Sequence, residues 1–143
     1  MLHGRRWMAG VLVLFALLPA ACAKVAEEEE ALNEPVTLEP IEGTDVSLIT
    51  LTQEAADRLD IEADTTQTVG SETAIPYAAV FYTSEGDTWA YTSPESLTFV
   101  RVPIVVDHVR GDRAFLTEGP PAGMEVVTQG LAELYGTETD VEE

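Results

Sequence analysis

Few side chains in this 143-residue chain could do covalent or proton chemistry. Cys22 is the one thiol, set where an apolar run ending in Ala20-Ala21 gives way to an acidic one. With no second cysteine, an intrachain disulfide is excluded, and what remains is modification of a nucleophilic sulfur. Asp107-His108 puts a carboxylate beside an imidazole, the pairing a general base uses. No motif fixes a serine, a cysteine or a second carboxylate near it, so His108 reads as a structural or solvated residue at a strand end. Ser93-Pro94-Glu95-Ser96 offers hydroxyls without a nucleophile elbow and reads as a loop. Arg110-Gly111-Asp112 spells an integrin-binding tripeptide, but its glycine suits a hairpin turn with positive φ. Phosphate loops, HExxH and paired-carboxylate signatures are all missing. No enzyme activity and no cofactor are expected.

The residues around Cys22 form the three parts of an export signal. Arg5 and Arg6 are a short basic region, Val11 to Leu18 an apolar stretch, and Pro19-Ala20-Ala21 the small residues of a cleavage site. The run is too short to span a membrane, which takes about 20 apolar residues. Cysteine after such a site resembles the lipobox of bacterial lipoproteins, whose thiol is diacylated and becomes the new N-terminus. Leu18 lies four residues before the cysteine, with Pro19 where the lipobox favours leucine. Two outcomes are open: lipidation of Cys22, or an ordinary secretory cut near Ala21-Cys22-Ala23 that discards the thiol. Both give an extracytoplasmic protein, lipid-anchored to the cell membrane or secreted.

Removing residues 1–21 from the 143 leaves 122, enough for one small domain. All 26 acidic residues lie beyond the signal, against five basic ones (Lys24, Arg58, Arg101, Arg110 and Arg113), for a net charge of −21. Such a surface repels nucleic acid and anionic headgroups. One histidine, His108, and a cysteine assigned to acylation leave no expected zinc or redox site, and no metal ligands are assigned. The glutamate block Glu27 to Glu30 lacks the alternating Asp/Asn and central glycine of an EF-hand.

The elements that would position anything start late. Residues 22–44 read as an acidic flexible tether interrupted by Pro35 and Pro40, spanning roughly 25–30 Å on average. Val46 to Leu51 predicts a short strand, and Thr52 caps a helix over Gln53 to Leu59. Ile61 to Val69 alternates as one strand. Ile75 to Thr83, the turn Ser84-Glu85-Gly86-Asp87 and Thr88 to Thr92 make a hairpin. Leu97 to Val106, the Arg110 to Arg113 turn, Ala114 to Leu116, the Gly119 to Gly123 loop and Glu125 to Gly130 complete a domain over residues 45–135. Residues 136–143 read as a frayed acidic tail. Trp89, Tyr91 and Phe99 are expected in the core. The expected fold is mainly β, a small antiparallel β-roll or barrel-like domain with one short helix.

Three segments together resemble the membrane-proximal domain of bacterial efflux periplasmic adaptor proteins, also called membrane fusion proteins. They are Val46 to Ala63, whose strand and helix open the domain; Ile75-Pro76-Tyr77-Ala78-Ala79-Val80 with Thr88-Trp89-Ala90-Tyr91; and Glu118 to Gly130, with Gly119, Pro121, Gly123, Val126-Val127-Thr128 and Gly130 as its marks. Asp60 stands after the helix where the family often has glycine. Adaptors insert a β-barrel, a lipoyl-like domain and usually a coiled-coil hairpin between the first two segments. Here that interval is Asp64 to Thr73, so only the membrane-proximal domain is expected, with no reach to an outer-membrane channel. The resemblance implies a non-catalytic module in efflux or transmembrane transport, whose partner is a membrane transporter, a permease or ATPase subunit. The candidate contact loops are Ser84, Glu85, Gly86 and Asp87, and Gly119, Pro120, Pro121 and Gly123. The alternative is an acidic surface lipoprotein that binds cations or a small ligand.

Overall fold

The computed structural model describes residues 34–140. Cys22 and the signal-like segment lie outside the described residues, as do 141–143. The elements run β1 (Val36–Pro40), β2 (Ser47–Leu51), α1 (Gln53–Arg58), β3 (Glu62–Thr65), β4 (Gln67–Val69) and β5 (Glu72–Pro76). A 3-10 turn at Tyr77–Ala79 leads to β6 (Phe81–Tyr82), β7 (Thr88–Glu95), β8 (Thr98–Pro103), β9 (Val105–Arg110), β10 (Arg113–Glu118), β11 (Glu125–Gln129) and α2 (Leu131–Thr139). All strand pairs are antiparallel.

The strands make two sheets. One is ordered β1-β2-β8-β7-β11-β3, with β6 also on β7; the other is ordered β4-β5-β10-β9. Strand alternation explains how they stack. On β7, Ala90 joins an apolar cluster with Ile75, Ala114 and Leu116 of the small sheet, while its neighbour Tyr91 joins one with Ala55, Ala56 and Leu134 of the helices. On β11, Val126 and Val127 divide the same way. The large sheet is therefore buried on both faces, with helices on one side and the small sheet on the other. Trp89 is half-buried, whereas Tyr91 and Phe99 are core residues.

Several expectations change. The sheets are open rather than closed into a barrel. A second helix, α2, occupies part of the segment read as a frayed tail. The tether reading fails for Val36–Pro40, which pairs with β2 from Val36↔Leu51 to Pro40↔Ser47. Composition could not show this, because the strand borrows its order from β2; at an edge, Pro40 costs the ladder little. Finally, the run read as one strand from Ile61 to Val69 changes sheets at buried Thr66. There Thr66 N donates to Met124 O and Thr66 O accepts from Gly123 N, both at 2.8 Å. The run read as one strand from Leu97 to Val106 breaks in the same way at Ile104, which crosses between β8 and β9 and donates to Thr88 O at 3.0 Å. Ile75 to Thr83 likewise divides among β5, the 3-10 turn and β6, and Ser93 to Glu95, read as a loop, extend β7.

The helix expected after Thr52 is present. Thr52 Oγ1 accepts from Ala55 N at 3.2 Å, and Glu54 sits in the first turn. Past its end, Asp60 takes φ 54°. Ile61 N then reaches back to Ala56 O and Asp60 N to Asp57 O, which satisfies carbonyls the helix leaves open.

Candidate functional site

Ser84, Glu85, Gly86 and Asp87 form the exposed β6–β7 turn, closed by Thr83 N to Asp87 O and Gly86 N to Thr83 O, both 3.0 Å. Gly119, Pro121 and Gly123 are exposed, but Pro120 is buried and drops out as a contact residue. A Cβ on Gly119 would lie 2.7 Å from Leu116 Cδ1 and 3.2 Å from Ile104 Cγ2. The loop thus begins packed on Ile104, the residue that also bonds Thr88 at the end of the other turn through Thr88 Oγ1 to Ile104 O at 2.8 Å. Both loops are anchored at one crossing point. The far end of the second loop, Gly123, is tied instead to Thr66. A depression of about 110 Å³ lies beside Gly119, lined by Thr73, Thr117, Glu118 and Pro121 among others.

Two tyrosines missed in the sequence precede the first turn, Tyr77 in the 3-10 turn and Tyr82 in β6. Tyr77 and Tyr82 are 44% and 54% exposed, enough to offer aromatic surface to a partner. The neighbouring Tyr77 hydroxyl raises the pKa of the Tyr82 phenol above 10.0. Exposed aromatics of this kind leave no periodic signal, because the run Ile75 to Thr83 reads as uninterrupted strand.

The three segments that carry the adaptor resemblance meet in space. β11, from the third, pairs with β7, the strand that carries Thr88 to Tyr91 of the second, through Val126↔Thr92 just past that segment, and with β3, from the first, through Val127↔Ala63. Between the first two segments the chain makes only the Thr66 crossing and the β4–β5 hairpin.

A buried polar network joins α2 to the large sheet. The Glu138 carboxylate accepts from Tyr91 Oη at 2.6 Å, Arg101 Nε at 3.1 Å and Ser47 N at 3.0 Å. Arg101 also donates to Asp45 O at 2.9 Å and stacks over Trp89 at 4.4 Å. Burial, then the bond to Glu138, raises the Tyr91 pKa well above its ordinary value. Arg101 Nε and Nη2 and both Glu138 oxygens have partners within the fold, so the network is built to hold α2 in place.

On the outer face of the small sheet, the structure gathers three residues that the sequence reading left separate. Ligand atoms of Glu72, Asp107 and His108 all lie within 4.8 Å of one another. His108 stacks on Phe115 with ring centroids 4.5 Å apart and planes 5° from parallel. Its Nδ1 is 2.8 Å from Asp107 Oδ2, while its Nε2 is buried and has no hydrogen-bond partner. Sequence spacing hides the set, since Glu72 comes from β5 and the other two from β9, on opposite sides of β10.

Comparison of the chain with protein-family models, curated proteins and solved structures returns no match.

Proposed function

We propose that this chain is a non-catalytic, lipid-anchored interaction module on the extracytoplasmic face of the cell membrane, built like the membrane-proximal domain of an efflux adaptor and docking on a membrane transporter. The observation that supports this most is the position of β11 between β7 and β3, which brings strands from all three resembling segments side by side, although Ile75 and Pro76 of the second lie in the small sheet. Acylation of Cys22 would hold the domain near the bilayer, since two acyl chains give the stable attachment that one does not. The exposed carboxylates Glu85, Asp87 and Glu118 on the loops suit a basic partner surface, and Tyr82 supplies an aromatic anchor.

Affinity purification from crosslinked membranes of the native cell tests the reading. A permease or ATPase subunit should co-purify, and the paired change Glu85→Lys with Asp87→Lys should reduce its yield several-fold through like-charge repulsion. Recovery of the protein with no transporter subunit would count against the proposal.

A further inference from the structure

We infer that the free edge of β9 is a self-association surface, on which a second copy of this chain adds its own β9 antiparallel across a two-fold axis. The inference does not depend on the transporter reading.

Four strands end the two sheets, β1 and β3 in the large one and β4 and β9 in the small one. An open edge presents unpaired N–H and C=O groups to any passing strand, so folds usually guard it. β1 closes on Pro40, which cannot donate. β3 sets Glu62 and Asp64 among four exposed residues, and β4 is only three residues long. β9 runs for six residues without proline, and Val105 and Val109 stand 46% and 48% exposed along it. Among the described residues no strand pairs with its outer side.

An irregularity makes this edge match itself. β9 and β10 pair Phe115 with His108 and then Leu116 with Val106, so Asp107 is an extra residue on β9. Such a bulge puts two residues where a regular strand has one. His108 stacks on Phe115 and Asp107 bonds its ring at 2.8 Å, so both occupy the outer face of the sheet. Val106 packs in the core cluster with Leu116, and Val109 pairs with Ala114 of that cluster, so both belong to the inner face. Arg110 lies over the Phe115 ring and is again outer, as alternation from Val106 makes Val105. The strand is therefore symmetric about Asp107-His108, with an inner valine on each side and an outer residue beyond it. An axis through that pair sets Val106 opposite Val109 of the second copy and Val105 against the aliphatic stem of its Arg110. A regular strand would put Val106 and Val109 on opposite faces and forbid the match.

This symmetry selects a second copy over an unrelated strand, and charge permits the approach. The formal net charge of −19 makes most of the surface repel its like. Around the β9–β10 turn, Arg110 and Arg113 offset Asp107 and Asp112, whereas Arg58 and Arg101 are engaged by Glu54 and Glu138. Pairing would join the two small sheets into one continuous sheet, and an isologous contact of this kind closes at two copies.

The test is sedimentation equilibrium of the full chain in density-matched detergent, with amide hydrogen exchange followed at low and high protein concentration. The mass should rise to that of two chains. Amides of Val105–Arg110 should gain protection with concentration, while those of Glu62–Thr65 do not. Val109→Lys puts an ammonium group opposite Val106 of the second copy and should weaken association by about tenfold or more. Val69→Lys, on the β4 edge, should leave association unchanged. Both valines are exposed, so neither variant disturbs the core, which circular dichroism would verify. A chain that stays monomeric at millimolar concentration would overturn the proposal and leave the edge to a strand of another protein. A dimer that Val109→Lys leaves intact would do the same, assigning association to a different surface.

Discussion

At Gly130 the chain turns from β11 into α2 with φ 87°, and a Cβ there would overlap Ile61 Cδ1 and lie 3.1 Å from Leu59 O. Gly86, by contrast, has φ 93° but open space around it. Strain alone costs a non-glycine residue on the order of 1–3 kcal/mol in such a conformation, and the overlap at Gly130 adds to it. Gly130→Ala should therefore lose more stability than Gly86→Ala, read as a larger drop in urea midpoint at constant slope. Equal losses would mean that Ile61 moves aside freely. Asp60 shows what one residue can reveal in the sequence. A left-handed position was suggested there only by the adaptor resemblance, in which glycine is frequent at that place, and the structure gives Asp60 φ 54°. Glu72 and His108 were not legible as neighbours, because their meeting depends on strand order and on a bulge that periodicity does not record.

At the scale of elements, the strands announced themselves and the second helix did not. The turn at Ser84 to Asp87 and the returning strand from Thr88 were legible because both depend on local chemistry, but the first strand of that hairpin is only Phe81–Tyr82, since Ile75 and Pro76 pair with β10 in the small sheet. Helix α2 depends on a distant partner: Glu138 reads as one more acid in an acidic tail until Arg101, Tyr91 and Ser47 are placed around it. Removing one member of a buried ion pair strands the other, at a cost of about 3–5 kcal/mol. Glu138→Leu should accordingly destabilise the fold by roughly that much and expose Tyr135 and Leu134, measured by chemical denaturation and near-ultraviolet circular dichroism. A loss under about 1 kcal/mol would show that α2 is dispensable. The same network sets an alkaline limit. The folded chain keeps Tyr91 neutral, with its pKa raised above the ordinary 10.0, so its contribution is complete below pH 10 and declines as pH rises further. Stability should fall above about pH 10, and Tyr91→Phe should flatten that decline. An unchanged decline in Tyr91→Phe would place its origin in other groups.

For the molecule as a whole, charge limits where it can work, and the proposed anchoring would limit it further. A chain with 26 acidic against seven basic residues disfavours nucleic acid, and attachment at Cys22 would confine it to the vicinity of the bilayer. With β1 beginning at Val36, a domain anchored through Cys22 would sit nearer the membrane than one tethered through residue 44. Mainly-β architecture was legible from the run of short alternating segments, whereas the layering of helices, large sheet and small sheet emerged only from the two crossings at Thr66 and Ile104. Those crossings also bring the candidate loops to a common anchor. The measurement that bears most directly on the transporter assignment places a photocrosslinking residue at Glu85, with one at Glu62 on the edge strand β3 as reference. Irradiation of intact membranes should join the Glu85 position to a transporter subunit and leave the Glu62 position unjoined. Adducts absent from Glu85, or equal at both positions, would contradict docking through this face.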